Sequence, residues 1–111
     1  MSHRDLDVLD AADRAAYGVN QLIDGKRRRL LHVTQLRKSS ESIGANISEG
    51  FGRRKGPDRN YRLETARAEA EETIYHLRVN FRCRRIDARD YWPLHNLLVV
   101  IVKMLNSMFN S

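Results

Sequence analysis

Apolar side chains return at helical spacing in four successive blocks. Leu6, Leu9, Ala12, Ala16, Val19 and Ile23 recur every three or four residues, and Val8, Ala15 and Leu22 widen the stripe. This is the period of an amphipathic helix, predicted over about 5–24 and stopped at Asp24-Gly25. Leu30, Val33, Leu36, Ser40, Ile43, Ile47 and Phe51 predict a second helix over about 29–51. Gly50 or Gly52 is placed to close it in the left-handed cap conformation. Gly44, inside that helix, costs about 1 kcal/mol relative to alanine, so it is read as marking the close approach of a neighbouring helix.

Pro57-Asp58 restarts the chain. Proline suits a first helical turn, where its missing N–H is not needed, and an aspartate there can accept from free backbone N–H groups. Leu63, Ala66, Ala70, Ile74, Leu77 and Phe81 then carry a third helix over about 58–84. Leu94, Leu97, Leu98, Ile101, Val102, Leu105, Met108 and Phe109 carry a fourth over about 88–109, with Pro93 expected in its first turn. Leu97 to Val102 is rich in β-branched residues, but a lone strand has nothing to pair with, and the helical spacing runs on past it. Four helices and short loops predict an all-α protein, an up-down-up-down antiparallel four-helix bundle, in a single domain spanning 1–111. The fourth helix is apolar on more than one face, as expected of a surface that another subunit covers.

Charge sharpens this picture. Twenty Lys and Arg stand against fourteen Asp and Glu, a net +6, which favours polyanionic partners. The balance is polarised. Residues 26–62 hold eleven Lys and Arg against Glu41, Glu49 and Asp58, whereas residues 5–24 hold Arg14 against five aspartates. Lys26, Arg27, Arg28 and Arg29 fall between the first two helices; Arg53, Arg54, Lys55, Arg59 and Arg62 fall between the second and third. Alternate loops of an up-down bundle lie at opposite ends, so these make two patches, with Arg84, Arg85 and Arg89 joining the first. Aromatics that could stack a base are few, Tyr61 first and Phe51, read as core, second, so with no stacking platform sequence-specific single-strand recognition is not expected.

Other chemistry is thin. A single cysteine, Cys83, allows no intramolecular disulfide and no CxxC clip. The opening residues lack the apolar run of a signal peptide, and six apolar residues at Leu97–Val102 fall far short of the ~20 needed to cross a bilayer; a cytoplasmic protein with no membrane contact is expected. Glu72 with His76 is the nearest approach to a di-iron ExxH pair, spaced four apart and not repeated elsewhere. His3, His32, His76 and His95 are scattered, so no metal and no cofactor is expected. GFGRRKG lacks the GxxxxGK[ST] pattern and follows a helix, which makes it a weak nucleotide signal, although a single phosphate could meet the next helix start. Glu49 sits where a helix end prefers positive charge and is expected to be held in a buried or inter-subunit ion pair with an arginine such as Arg53 or Arg37. Ser42 and Asn46, one turn apart on its side, suit a polar network at a helix contact.

The stretch Gln35–Arg54, QLRKSSESIGANISEGFGRR, resembles the signature of the four-helix bundle proteins also called ribosomal RNA intervening-sequence proteins. Ser42, Ile43, Asn46, Ile47, Glu49, Gly50, Gly52 and Arg53 fall on its matching positions. YRLETARAEA, Tyr61–Ala70, and the opening DLDVLDAADRAA resemble two more diffuse segments of the family, with Leu9 where an aromatic is common and Ala68 in place of a small serine. The resemblance implies a homo-oligomeric ring, typically a pentamer, without enzymatic activity, and a link to RNA through the genes in which members are encoded. Two readings follow: a scaffold whose basic surface engages RNA or an RNA-associated protein, and a protein-interaction module whose basic face meets an acidic protein with no nucleic acid involved.

Overall fold

A computed structural model describes residues 2–25 and 29–109. Those residues form four helices and no strand: α1 (His3–Gly25), α2 (Val33–Phe51), α3 (Pro57–Arg82) and α4 (Ala88–Met108). Each packs on its neighbour in the chain, and α1 closes the circuit against α4, in a body of 44 × 22 × 19 Å. This is the up-down-up-down bundle that the four apolar stripes predict.

The stripes converge on one core. Val8, Ala12 and Val19 of α1, Leu36, Ile43 and Ile47 of α2, Leu63, Ala66, Ala70 and Leu77 of α3, and Leu98, Ile101 and Leu105 of α4 are fully buried. Small residues set how near the helices come. A methyl group on Gly44 would lie 3.3 Å from Asp13 Oδ1 and 3.8 Å from Ala12 Cβ, so the predicted close approach is with α1. Gly18 faces Leu94 still more tightly, with Cδ2 2.6 Å from where its Cβ would stand.

The helices depart from expectation in five places. α2 starts at Val33 rather than 29, because Leu30 turns into the core and His32 adopts left-handed φ 57°, ψ 40°. No left-handed glycine closes α2: Gly50 lies within it, and Gly52 is right-handed at φ −77°, donating back to Ser48 O at 3.2 Å. Gly50 is needed for space instead, since a Cβ there would meet Leu63 Cδ2 at 3.2 Å and Arg62 Cβ at 3.3 Å. At the start of α3 the cap is Gly56, at φ 148°, with no side-chain cap bond; Asp58 therefore contributes first-turn charge beside the positive end of the helix dipole. Pro93 lies in the second turn of α4, which begins at Ala88 where Asp90 and Tyr91 N–H both reach Asp87 O. Pro93 and Arg89 are exposed, so water can take the Arg89 carbonyl that proline leaves without its N–H.

α3 stops two residues early by a cap that the sequence does not advertise. Arg85 N–H reaches Asn80 O at 2.8 Å and Arg84 N–H reaches Phe81 O at 3.0 Å, with Arg84 at φ 60°. This is the Schellman arrangement, with arginine where glycine is usual.

Candidate nucleic-acid interface

The helix directions sort the basic residues into two ends. At the first lie the C-termini of α2 and α4 with the N-termini of α1 and α3, where Arg4 donates to Ser107 Oγ at 2.5 Å. Arg53, Arg54 and Lys55 are exposed in the short α2–α3 loop here. Arg59 lies over the Phe51 ring at 5.2 Å and Arg62 over Tyr61 at 5.7 Å. The five cations predicted as one patch thus come together around the start of α3.

Glu49 is held by Arg53, one of the two arginines expected, but the pair lies within the chain and in solvent rather than buried or between subunits. Arg53 Nη2 donates to its Oε2 at 3.1 Å, and Arg62 Nε lies 3.7 Å from the same oxygen. Exposed pairs of this kind contribute little stability; what Glu49 does is restrain two of the five cations. Arg37, the alternative partner, instead spans to α1, donating to Asn20 Oδ1 and to Asp24 Oδ1, the latter at 2.6 Å. Asn46 Nδ2 donates to the Ser42 carbonyl at 2.9 Å, a bond local to α2 that does not extend to Glu49.

At the opposite end, Lys26, Arg27 and Arg28 lie outside the described residues. Arg29 is exposed, and its carbonyl accepts from Arg85 Nη1 at 2.8 Å, which joins the α1–α2 and α3–α4 connections. Asn80, fully buried, fixes the same junction. Its Oδ1 accepts from Leu31 N–H at 2.7 Å, while its Nδ2 donates to Leu31 O at 3.0 Å and His76 O at 2.8 Å.

Asn80 belongs to a polar seam between α2 and α3. Buried Ser39 and Thr73 share a hydroxyl hydrogen bond of 2.8 Å, and Thr73 also donates to the Glu69 carbonyl at 2.8 Å. His32 and His76 meet through their Nδ1 atoms at 3.1 Å, one donating and one accepting, and His76 Nε2 lies 3.7 Å from Glu72. His32, just before α2, thus lies beside the Glu72–His76 pair, but among the described residues no three His, Cys, Asp or Glu side chains are arranged so that they could hold a metal ion. Burial, then the neighbouring Glu72 charge, push the Glu69 carboxyl above its usual range, opposed by Lys38. A signal for the seam existed: Ala66, Ala70, Thr73, Leu77 and Asn80 keep the three-four spacing of the buried face, so Thr73 and Asn80 occupy core positions.

Also missed was an aromatic cluster at this end. Phe81 and Tyr91 stack at 4.2 Å and 2°, Trp92 meets both edge-on, and His95 closes on Trp92 at 5.1 Å.

Comparison with known proteins follows this geometry. Residues 4–107 match the family model described as 23S rRNA-intervening sequence protein. The chain belongs to that family. A crystal structure of a protein of unknown function from the S23 ribosomal protein family of Bacteroides thetaiotaomicron superposes with a TM-score of 0.87 at 28% identity, covering 97% of this chain and 99% of that one. A search of curated proteins finds no match. For this intervening-sequence family member, no described helix is long and apolar enough to cross a membrane.

Proposed function

We propose that this intervening-sequence protein is a non-enzymatic scaffold that assembles with copies of itself, as a pentameric ring, and engages RNA through the cations at its two ends. The observation that carries the RNA reading is the α2–α3 loop. Arg54 and Lys55 stand exposed there with no ion pair among the described residues, beside Arg53 and Arg59 and the uncapped start of α3. Arg54 and Lys55, neither paired with an acid among the described residues, suit contacts to a phosphate backbone. Self-assembly is supported by the complementary sign of α1, whose Asp7, Asp10 and Asp13 are exposed, and by Leu6 and Val100, large apolar residues left half-exposed on the outer faces of α1 and α4. An acidic stretch and a basic loop on one chain make the head-to-tail contact that closes rings.

The test is a titration with a labelled single-stranded RNA across a range of salt. Binding should weaken with a log–log slope of about −0.7 per phosphate contacted, so replacing Arg53, Arg54 and Lys55 with glutamine should flatten it by about 2. Salt-independent binding, or none at low salt, would overturn the reading and leave capture of an acidic protein as the role of the basic face. Light scattering on the purified protein tests assembly separately, with a monomer at micromolar concentration as the contrary result.

A further inference from the structure

We propose that the α3–α4 corner is a stacking site for an unpaired base of single-stranded RNA, with the indole of Trp92 as its platform. The proposal rests on the RNA reading above and adds where and how a base is taken. Trp92 is 46% exposed, although three rings brace it: Phe81 at 5.9 Å and 71°, Tyr91 at 4.9 Å and 70°, and His95 at 5.1 Å and 77°. Tyr91 beneath is buried and stacked flat on Phe81. The indole is thus fixed in orientation by its neighbours while part of its surface stays open. Tyr61, more exposed at the other end, has only Arg62 across its ring and no such bracing.

Cations lie close to the platform along the chain. Arg89 precedes Trp92 by three residues on α4, hence on the same side of the helix; its side chain is 85% exposed, with Nε 3.7 Å from Asp90 Oδ1, an exposed pair that a phosphate can displace. Arg82 and Arg84, both exposed, lie one and three residues after Phe81, at and just beyond the end of α3. An aromatic face for a base with arginines for the flanking phosphates is the combination by which single strands are held. A duplex keeps its bases stacked on one another and cannot use the indole.

Trp92 is the sole tryptophan of the chain, so its emission reports this corner alone. The intact protein is titrated with an adenine-rich single-stranded RNA and with a duplex of equal charge, following label anisotropy and tryptophan emission together. Quenching should saturate with the single strand at the concentration where anisotropy does, and the duplex should bind without quenching. Trp92→Leu should weaken single-strand binding about tenfold and leave duplex binding unchanged, while Trp92→Phe should retain part of the loss; circular dichroism checks that both variants fold. Strand binding that leaves the emission unmoved, with Trp92→Leu equal to the parent, would overturn the stacking site and spare the RNA reading. No strand binding at low salt would overturn both. Emission that follows protein concentration, with a lower assembled mass for Trp92→Leu, would make the corner a contact with a second copy and overturn the proposal.

Discussion

The two ends of the bundle carry similar charge on very different scaffolding. Around the α2–α3 loop the cations project from backbone held by local turn bonds, Glu49 restrains only the Arg53 and Arg62 side chains, and the turn is made by Gly56. Around the α1–α2 and α3–α4 connections, Asn80 clasps Leu31, Arg85 holds the Arg29 carbonyl, and two non-glycine residues, His32 and Arg84, are kept in left-handed conformations. Such conformations persist only where surrounding contacts over-determine them. The contrast teaches that similar charge can be carried by a loop with local bonds alone or by a junction fixed through contacts between distant parts of the chain.

Breaking the rigid end should have the largest effect. Asn80→Ala leaves the partly buried Leu31 N–H and carbonyl without their partner and opens a gap at a fully buried side chain, and should cost about 3 kcal/mol in denaturant unfolding. At the loose end, Gly56→Ala forces a side chain into φ 148°, a region that glycine alone tolerates, and should destabilise by about 2 kcal/mol by the same measurement. Arg84→Gly sharpens the comparison in the opposite direction. It removes left-handed strain and should stabilise by about 0.5–1 kcal/mol, seen as a higher Tm.

The smallest effect belongs between the ends, at Glu69. Its folded-state pKa lies above the ordinary 4.5, so the folded protein holds a proton that the unfolded chain has already released. Stability contributed by that proton is present at acid pH and is lost as pH rises from 4.5 upward through the raised value. Glu69→Gln should therefore raise Tm slightly at neutral pH and not below pH 4, which paired thermal melts would read.

Most of the fold was legible because burial alone dictates it. Leu36, Ile43 and Ile47, or Leu98, Ile101 and Leu105, cannot repeat at that spacing without a shared dry face. Helix boundaries were less legible, since they depend on partners distant in sequence: α2 is delayed by an asparagine 49 residues beyond Leu31, and α3 is ended by an arginine in a glycine's place. The basic residues of the α2–α3 loop could be read as one patch because they are neighbours in the chain. Trp92 could not be paired with Phe81 from spacing, because their meeting needs the antiparallel turn between α3 and α4 to be in place. Gly50 shows the remaining ambiguity, as glycine serves both to end a helix and to admit a neighbour, and only the position of Leu63 decides between them.

The Asn80 clasp has a consequence for solvent exchange. Leu31 belongs to no helix, and its amide would ordinarily trade its proton with water as fast as any loop amide. Bonded instead to a side chain with no exposed surface, it can exchange only when α3 and the linker part company, so deuterium uptake at Leu31 should run at the pace of the interior and report the opening of that whole end.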